Sequence, residues 1–133
     1  MQRLKHWTVR KVSGTPFWEV DEPFFWLQDY NDSWIIVVEK WFKTNFWSVP
    51  RLLWWIFNPT RYNSYVIHDK SYEQKMIYNS SLCEFRLLTR KECDDMLYDG
   101  LKYEWAGFIE RWAIYIGVRL WGWYAWHFWK KLD

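Results

Sequence analysis

The stretch from Trp105 to Trp129 is too apolar to lie exposed in water, and it constrains the fold more than any other part of the chain. Placed on a helix, the segment has one narrow polar stripe, formed by Glu104, Arg111, Tyr115, Arg119, Gly122 and Lys130; apart from Glu110, His127 and the ends, the rest is apolar. A helix whose polar stripe is this narrow is buried on most of its sides. The segment must therefore pack in a core, against a partner chain or in a membrane.

The length of this segment limits how it can pack. A straight helix from Lys102 to Lys131 would be about 45 Å long. A compact chain of 133 residues has a radius of gyration of about 14 Å, and hence a diameter of roughly 36 Å. We therefore expect a long C-terminal helix that either bends near Gly117 or Gly122 or projects into something else.

Arg119 argues against a simple membrane span. Trp112 to Trp129 is just long enough to cross a bilayer, but a central Arg costs about 2.5–3.5 kcal/mol on insertion scales. Tryptophan also belongs at the membrane interface rather than at the midplane. We favour a core helix that carries Arg119 on its polar stripe, with a membrane interface as the less favoured contact.

The tryptophan content indicates that part of the surface faces a partner. The chain has 14 Trp, and each packed Trp buries roughly 150–250 Å², which exceeds what a small core needs. Aromatic side chains combined with Arg are typical of protein–protein hot spots, so we expect a protein partner or self-association. The predicted contact residues are Trp47, Arg51, Trp54, Trp55, Trp121, Trp123, Trp126 and Trp129.

Charge and motifs exclude several function classes. The formal net charge of +2 lacks the basic excess that phosphate binding needs, so we do not expect nucleic acid as a partner. The sequence has no phosphate-binding glycine loop, no dinucleotide fingerprint and no nucleophile elbow. Cys83 and Cys93 fit no zinc or redox spacing, and we predict two buried free thiols.

We expect a single domain over residues 1–133, since the chain has no internal repeat and no low-complexity linker. Tryptophan usage divides it into a Trp-rich segment at 1–57, a Trp-free segment at 58–104 that holds a His-Asp pair, and a Trp-rich helix at 105–133. Alternating apolar positions predict an N-terminal hairpin from His6 to Val20. Trp34 to Lys43 fits either a helical face or a β-branched strand, and we favour the helix slightly.

The remaining elements predict an α+β fold with several short helices. We expect one helix after Ser48, with Ser48 as its N-cap, and another that carries His68. Two short strands should meet at an Asn79 turn. Thr89 to Glu92 forms a capping box, and the helix that it starts should end at Gly100.

One polar constellation could carry chemistry. His68, Asp69 and Asp94 could hold a divalent cation if their helices pack face to face, and these three are the metal-ligand candidates. Ser48 could lie near them, and the four together are the catalytic candidates. The favoured alternative is a buried polar network in which His68 or Asp69 pairs with Arg90 or Arg119. We therefore predict no catalytic residue and no cofactor, apart from a possible divalent metal, and leave enzymatic activity open with a preference against it.

An ordered set of short motifs resembles a family of small uncharacterised phage and prophage proteins. The motifs are Ser48-Val49-Pro50-Arg51 with Trp54, His68-Asp69 with Tyr72, the group Arg90, Glu92 and Asp94, and Val118 to Gly122. The resemblance covers roughly Trp41 to Trp126 and departs locally at Asn79 to Leu82. It implies that the His-Asp pair lies on a helix and that the source is a phage, hence a host-cytoplasmic or virion location. It implies no reaction.

The sequence thus predicts a non-catalytic phage-type protein that binds a protein partner through Trp-rich surfaces. It would act as an assembly component or as a host-directed accessory protein. The alternative is a small metal-dependent hydrolase that uses the His68, Asp69 and Asp94 cluster.

Overall fold

The computed structural model describes residues 9–13, 17–29, 34–46, 49–58 and 62–128. Four residues predicted to be functional lie partly or wholly outside this description, namely Trp47, Ser48, Trp129 and the side chain of Arg51.

Seven strands and four helices make up the described part of the chain. The strands are β1 Val9–Lys11, β2 Trp18–Val20, β3 Phe24–Asp29, β4 Trp34–Val38, β5 Lys43–Thr44, β6 Met76–Asn79 and β7 Glu84–Leu87. The helices are α1 Arg51–Trp54, α2 Ser64–Gln74, α3 Arg90–Tyr103 and α4 Phe108–Phe128. The strands form two antiparallel sheets, with orders β1-β2-β5 and β3-β4-β6-β7. This confirms the predicted α+β class.

The strand pairing of the predicted N-terminal hairpin is confirmed, and β5 extends it; residues 6–8 and the turn at 14–16 lie outside the described residues. Strands β1 and β2 pair with Val9 opposite Val20, and β5 adds to the other side of β2 with Thr44 opposite Trp18. This pairing brings Thr44 beside α2, where its hydroxyl takes part in the polar interior described below.

The helix favoured over Trp34 to Lys43 is wrong. Residues 34–38 form β4, which pairs with β3 on one side and with β6 on the other. The β-branched run from Ile35 to Val38 fits a pleated, partly buried surface, and it places Ile36 and Val38 in the core. The apolar residues of this segment fit both a strand period of two and a helical period, and the structure adopts the strand.

The predicted helix after Ser48 is only one turn long. Helix α1 starts at Arg51, and its N-cap residue Pro50 makes no side-chain cap hydrogen bond. The predicted N-cap, Ser48, lies outside the described residues. Beyond α1, α2 is the predicted helix that carries His68; it begins at Ser64, and the side chain of its N-cap residue Asn63 makes no cap hydrogen bond. The carboxylate of Glu104 caps α2 instead, because it accepts hydrogen bonds from the backbone N–H groups of Asn63 (3.0 Å) and Ser64 (2.8 Å).

The predicted strands of the middle segment are confirmed as β6 and β7, which pair antiparallel. The turn between them is held by Asn79, whose side-chain oxygen accepts from the backbone N–H groups of Ser81 and Leu82, each at 2.9 Å. Cys83 lies in this turn and is exposed, so the prediction that both thiols are buried is right only for Cys93.

Helix α3 starts at the predicted capping box and runs past its predicted end. Thr89 accepts from the Glu92 N–H, and the Glu92 carboxylate accepts from the Thr89 N–H. Gly100 does not end the helix, since α3 continues to Tyr103. It is instead buried where α3 crosses α2, and an added Cβ there would collide with the side chain of Ser64.

The C-terminal helix begins six residues later than predicted. The helical conformation is interrupted between α3 and α4 at residues 104–107, where Trp105 adopts a positive φ of 68°. Helix α4 then runs from Phe108 through Gly117 and Gly122 to Phe128, about 31 Å at the usual rise per residue. None of the described helices is sufficiently long and apolar to cross a membrane.

The core lies between the four-stranded sheet and the helices. Helix α2 packs against β4, α3 and α4. The buried side chains that meet there include Ile36 and Ile77 from the sheet, Val66 and Ile67 from α2, Leu97 and Leu101 from α3, and Ile114 and Val118 from α4.

Candidate functional site

The carboxylate of Asp94 is the centre of a buried polar cluster that joins three helices. Its Oδ1 lies 2.7 Å from His68 Nε2 and accepts a 2.6 Å hydrogen bond from the Tyr72 hydroxyl. Its Oδ2 accepts from Arg119 Nη1 at 2.8 Å, and Arg90 Nη1 lies 3.4 Å from the same oxygen. We call these five residues the Asp94 network. It connects α2, α3 and α4 through one side chain.

The spacing of these residues along α2, α3 and α4 explains how their side chains meet at Asp94. His68 and Tyr72 are four residues apart, so they lie on the same face of α2, one above the other. Asp94 lies in the first half of α3, and Arg90 precedes it by one turn. The Arg90 guanidinium also donates to the backbone carbonyls of Val118 and Arg119, each at 3.1 Å. Helix α4 is thereby attached to α3 through its backbone as well as through Arg119.

Electrostatics keep Asp94 ionised and Tyr72 neutral. Burial disfavours the Asp94 carboxylate, but hydrogen bonds from His68, Tyr72 and Arg119 outweigh this and lower the pKa of Asp94. Burial, followed by the Asp94 charge, raises the pKa of Tyr72 far above its ordinary value. Because a carboxylate only accepts, the proton between His68 and Asp94 belongs to His68 Nε2. The network therefore consists of donors that converge on one anion.

Asp69 does not join this cluster. Its Oδ2 accepts hydrogen bonds from the Thr44 hydroxyl and, at 3.2 Å, from the Phe46 backbone N–H. Its Oδ1 lies 4.0 Å from His68 Nδ1. Asp69 thus connects α2 to β5 on the opposite side of His68 from Asp94. Within the described ranges, no group of three or more His, Cys, Asp or Glu side chains is placed to hold a metal ion.

The structure brings together most of the polar residues that the sequence indicated, with different partners. His68, Asp94, Arg90 and Arg119 do meet, but both arginines contact Asp94 rather than His68 or Asp69. Thr44 was not predicted, because nothing in a two-residue strand that precedes Asp69 by 25 positions marks it as a partner. A His held by a buried carboxylate is also how catalytic imidazoles are oriented, yet His68 and Asp94 are 0% exposed here.

The second candidate site is the side of α4 that faces away from the rest of the chain. Its large exposed side chains are Phe108, Ile109, Trp112, Ile116, Leu120, Trp121, Trp123 and Tyr124, which we call the α4 outer face. The side that faces the core carries smaller residues, among them Gly122 and Ala125, both buried. A Cβ added to Gly122 would lie 2.5 Å from the Tyr72 hydroxyl oxygen. The helix thus packs closely through small residues and leaves large ones uncovered.

The predicted contact tryptophans fall into two groups. Trp55 is 90% exposed, and Trp121 and Trp123 are each more than half exposed. Trp54 and Trp126 instead pack against the core: the Trp54 indole donates to the Val49 carbonyl at 3.2 Å, and Trp126 stands edge-on to Tyr72 at 5.2 Å.

Sequence reasoning missed several members of the exposed surface. Trp105 is 91% exposed, and Ile109, Ile116 and Leu120 are also uncovered. The polar stripe predicted for this helix does not mark its outward side, because Arg119 and Gly122 on that stripe face Asp94 and Tyr72. The outward side became identifiable only once Asp94 fixed the position of Arg119.

The comparisons with known proteins add a family and no relative of known function. Neither the curated proteins nor the solved structures contain a match. Residues 18–118 match the family described as "Protein of unknown function (DUF1353)". The matched range includes His68, Tyr72 and Asp94 and ends just before Arg119, within α4. Because it covers well over half of the chain, this protein belongs to the DUF1353 family.

Proposed function

We propose that this chain is a non-catalytic, phage-type protein that binds a protein partner through its Trp-rich surface, centred on the α4 outer face. It would serve as an assembly component or as a host-directed accessory protein. The observation that carries the proposal is the set of eight large side chains, mostly apolar, that are exposed on α4.

Exposure on this scale is costly for a monomer. Contiguous apolar patches larger than a few hundred Å² usually mark interaction sites, and each large aromatic side chain contributes roughly 150–250 Å² when covered. Tryptophan is also enriched among the residues that dominate binding energy. Burial of this surface against a partner therefore supplies a driving force that the isolated chain does not use.

The Asp94 network supports binding by holding α4 in place. Arg119 and the backbone carbonyls beside it are attached to α3, and Gly122 allows close contact with Tyr72. A binding surface on a rigid element loses less conformational entropy on association than a mobile one. We infer that the buried network is a scaffold that presents the α4 outer face.

Replacement of Leu120 by Glu is expected to weaken partner capture at least tenfold. Leu120 is 79% exposed near the middle of the face, so the change places a charge in the interface without disturbing the core. The measurement is quantitative capture from host lysate, or the molar mass by light scattering if the partner is a second copy. Circular dichroism should show the same fold as wild type.

Leu87 provides the matched control, because it is 74% exposed and lies on β7 rather than on α4. Leu87→Glu should capture the partner as wild type does. The proposal fails if Leu120→Glu captures normally, or if both variants lose capture equally.

A metal-dependent hydrolase that uses His68, Asp69 and Asp94 is the second candidate function. The observation in its favour is the 2.7 Å contact between His68 Nε2 and Asp94 Oδ1. To place a third ligand beside these two, Asp69 would have to exchange its bonds to Thr44 and Phe46 for a metal ion.

Thermal shift with Mg²⁺, Mn²⁺ and Zn²⁺ separates the two candidates. A cation that binds only the native state, at a concentration of 100 times its Kd, would raise the free energy of unfolding by about 2.7 kcal/mol. We expect equal melting temperatures with and without each metal. A metal-induced rise that disappears in Asp69→Asn would support the hydrolase and contradict a non-catalytic role.

A further inference from the structure

A cavity of about 300 Å³ lies between α3 and α4, away from the Asp94 network. Asp95, Tyr98 and Asp99 line it from α3, and Trp112 and Tyr115 line it from α4. This volume is at the lower end of ligand-binding sites. The lining combines three aromatic rings with two carboxylates, and one of the rings, Trp112, also belongs to the α4 outer face.

The three rings stand at steep angles to one another. The Tyr98 centroid lies 5.2 Å from that of Trp112, with 57° between the planes, and 5.9 Å from that of Tyr115, at 88°. The Trp112 and Tyr115 centroids are 5.9 Å apart, at 69°. Rings that are steeply inclined rather than stacked can turn more than one negative π face towards the same space.

One of these rings already attracts a cation. The Arg111 guanidinium carbon lies 5.6 Å from the Tyr98 ring centroid, within the usual range of a cation–π contact. Arg111 does not line the cavity, because its guanidinium donates to the Ala106 carbonyl at 3.1 Å. The cavity itself is therefore left without a positive group from Arg111.

The two carboxylates differ in how they are compensated. Asp95 accepts from Lys91 Nζ at 2.8 Å and from the Tyr115 hydroxyl at 2.7 Å. Among the described residues, none donates a hydrogen bond to the Asp99 side chain or forms an ion pair with it. Asp99 is exposed, and desolvation, followed by the charge of Asp95, raises its pKa, while the charge of Lys102 lowers it. An added cation would favour the ionised carboxylate further.

We propose that the α3–α4 cavity binds an organic ammonium cation, held against the rings of Tyr98, Trp112 and Tyr115 with its charge towards Asp99. Carboxylates exclude an anion from this space. A bare metal ion needs several oxygen ligands, whereas Asp99 is the one carboxylate of the cavity that accepts no hydrogen bond and forms no ion pair among the described residues. Aromatic rings combined with a negative group are the usual recognition chemistry for quaternary ammonium and methylated lysine groups.

Calorimetric titration of the full chain tests this proposal. The probes are choline and a lysine-containing peptide, which represent the two sources of an alkylammonium group, and 3,3-dimethylbutan-1-ol, the uncharged isostere of choline. At least one ammonium probe should bind and shift the NMR signal of the Trp112 indole, and the neutral isostere should bind at least about fivefold more weakly.

Asp99→Asn should weaken ammonium binding by about five- to thirtyfold while the fold stays unchanged. Glu84→Gln is the matched control, because it removes one exposed carboxylate on β7 and should leave the affinity as in wild type. The proposal is overturned if the neutral isostere binds as tightly as choline, if Asp99→Asn binds normally, or if no probe binds at millimolar concentration. Leu120→Glu should not alter ammonium affinity, so failure of partner binding and failure of this site remain distinguishable.

Discussion

Asp94→Asn is expected to lower the free energy of unfolding by about 3 kcal/mol, since removal of one partner of a buried ion pair typically costs 3–5 kcal/mol. The replacement keeps the shape of the side chain but removes the anion on which His68, Tyr72 and Arg119 converge. We place the loss at the lower end of that range because Arg119 is 33% exposed and can be partly hydrated. Urea denaturation gives the value directly.

Asp95→Asn is the control, since Asp95 is the next residue on α3 and its ion pair with Lys91 lies at the surface. The Asn side chain keeps an oxygen that can accept the hydrogen bond from the Tyr115 hydroxyl, so the change removes mainly the ion pair. Exposed pairs of this kind contribute about 0–1 kcal/mol. Equal losses for the two variants would show that Asp94 does not connect the helices as described.

The pH dependence supplies a second readout for Asp94. Its pKa is lowered in the folded state, so its stabilisation is complete above the unfolded pKa of about 3.9 and is lost as the pH falls through the folded value. Wild type should therefore lose stability more steeply than Asp94→Asn as the pH decreases below about 4. Parallel profiles for the two proteins would contradict the assignment.

Gly122→Ala is expected to lower the free energy of unfolding by about 1–2 kcal/mol, although Ala is the better helix former. The added Cβ would lie 2.5 Å from the Tyr72 hydroxyl oxygen, and that hydroxyl is held by Asp94. Overpacking costs about 1–3 kcal/mol, whereas the gain in helix propensity is at most about 1 kcal/mol. Gly107→Ala is the control, because no atom lies within 4 Å of its added Cβ.

A double-mutant cycle tests the cause. Tyr72→Phe removes the hydroxyl that the new methyl group meets, so Gly122→Ala should cost less in that background than in wild type. Strict additivity of the two changes would mean that Gly122 is required for a reason other than its approach to Tyr72.

The sequence predicted those parts of the fold that local chemistry determines. The capping box from Thr89 to Glu92 depends on residues within one turn, and it was found where expected. The hairpin and the Asn79 turn are likewise local. The helix that carries His68 was also predicted correctly, from its periodicity and from the family resemblance.

Elements that depend on distant partners were predicted less well. Strand β4 looked helical until pairing with β3 and β6 fixed it. Gly100 looked like a helix end, although its real constraint is the approach of Ser64 from another helix. The start of α4 was missed because Glu104 was assigned to a polar stripe, whereas it caps α2.

The candidate sites also combine features that the local sequence predicts with features that depend on distant partners. The sequence identified which polar residues take part. In the described part of the chain they form a buried polar network, as in the favoured alternative, although their partners differ from those predicted. Their pairing was not predictable, because Asp69 and Asp94 are equivalent acids until the packing of α2 against β5 and α3 separates them. The outward side of α4 was not predicted for a similar reason, since Arg119 and Gly122 on its polar stripe face Asp94 and Tyr72 of the other helices instead of solvent.

The most direct test of the account is site-specific photo-crosslinking in the host cell. A photoreactive amino acid replaces Leu120 in one variant and Leu87 in another, two positions of similar exposure on different surfaces. If the α4 outer face binds a protein partner, the Leu120 position should yield one discrete crosslinked product, of twice the chain's mass for self-association, and the Leu87 position should yield none. No product at Leu120, or the same products from both positions, would contradict the central claim.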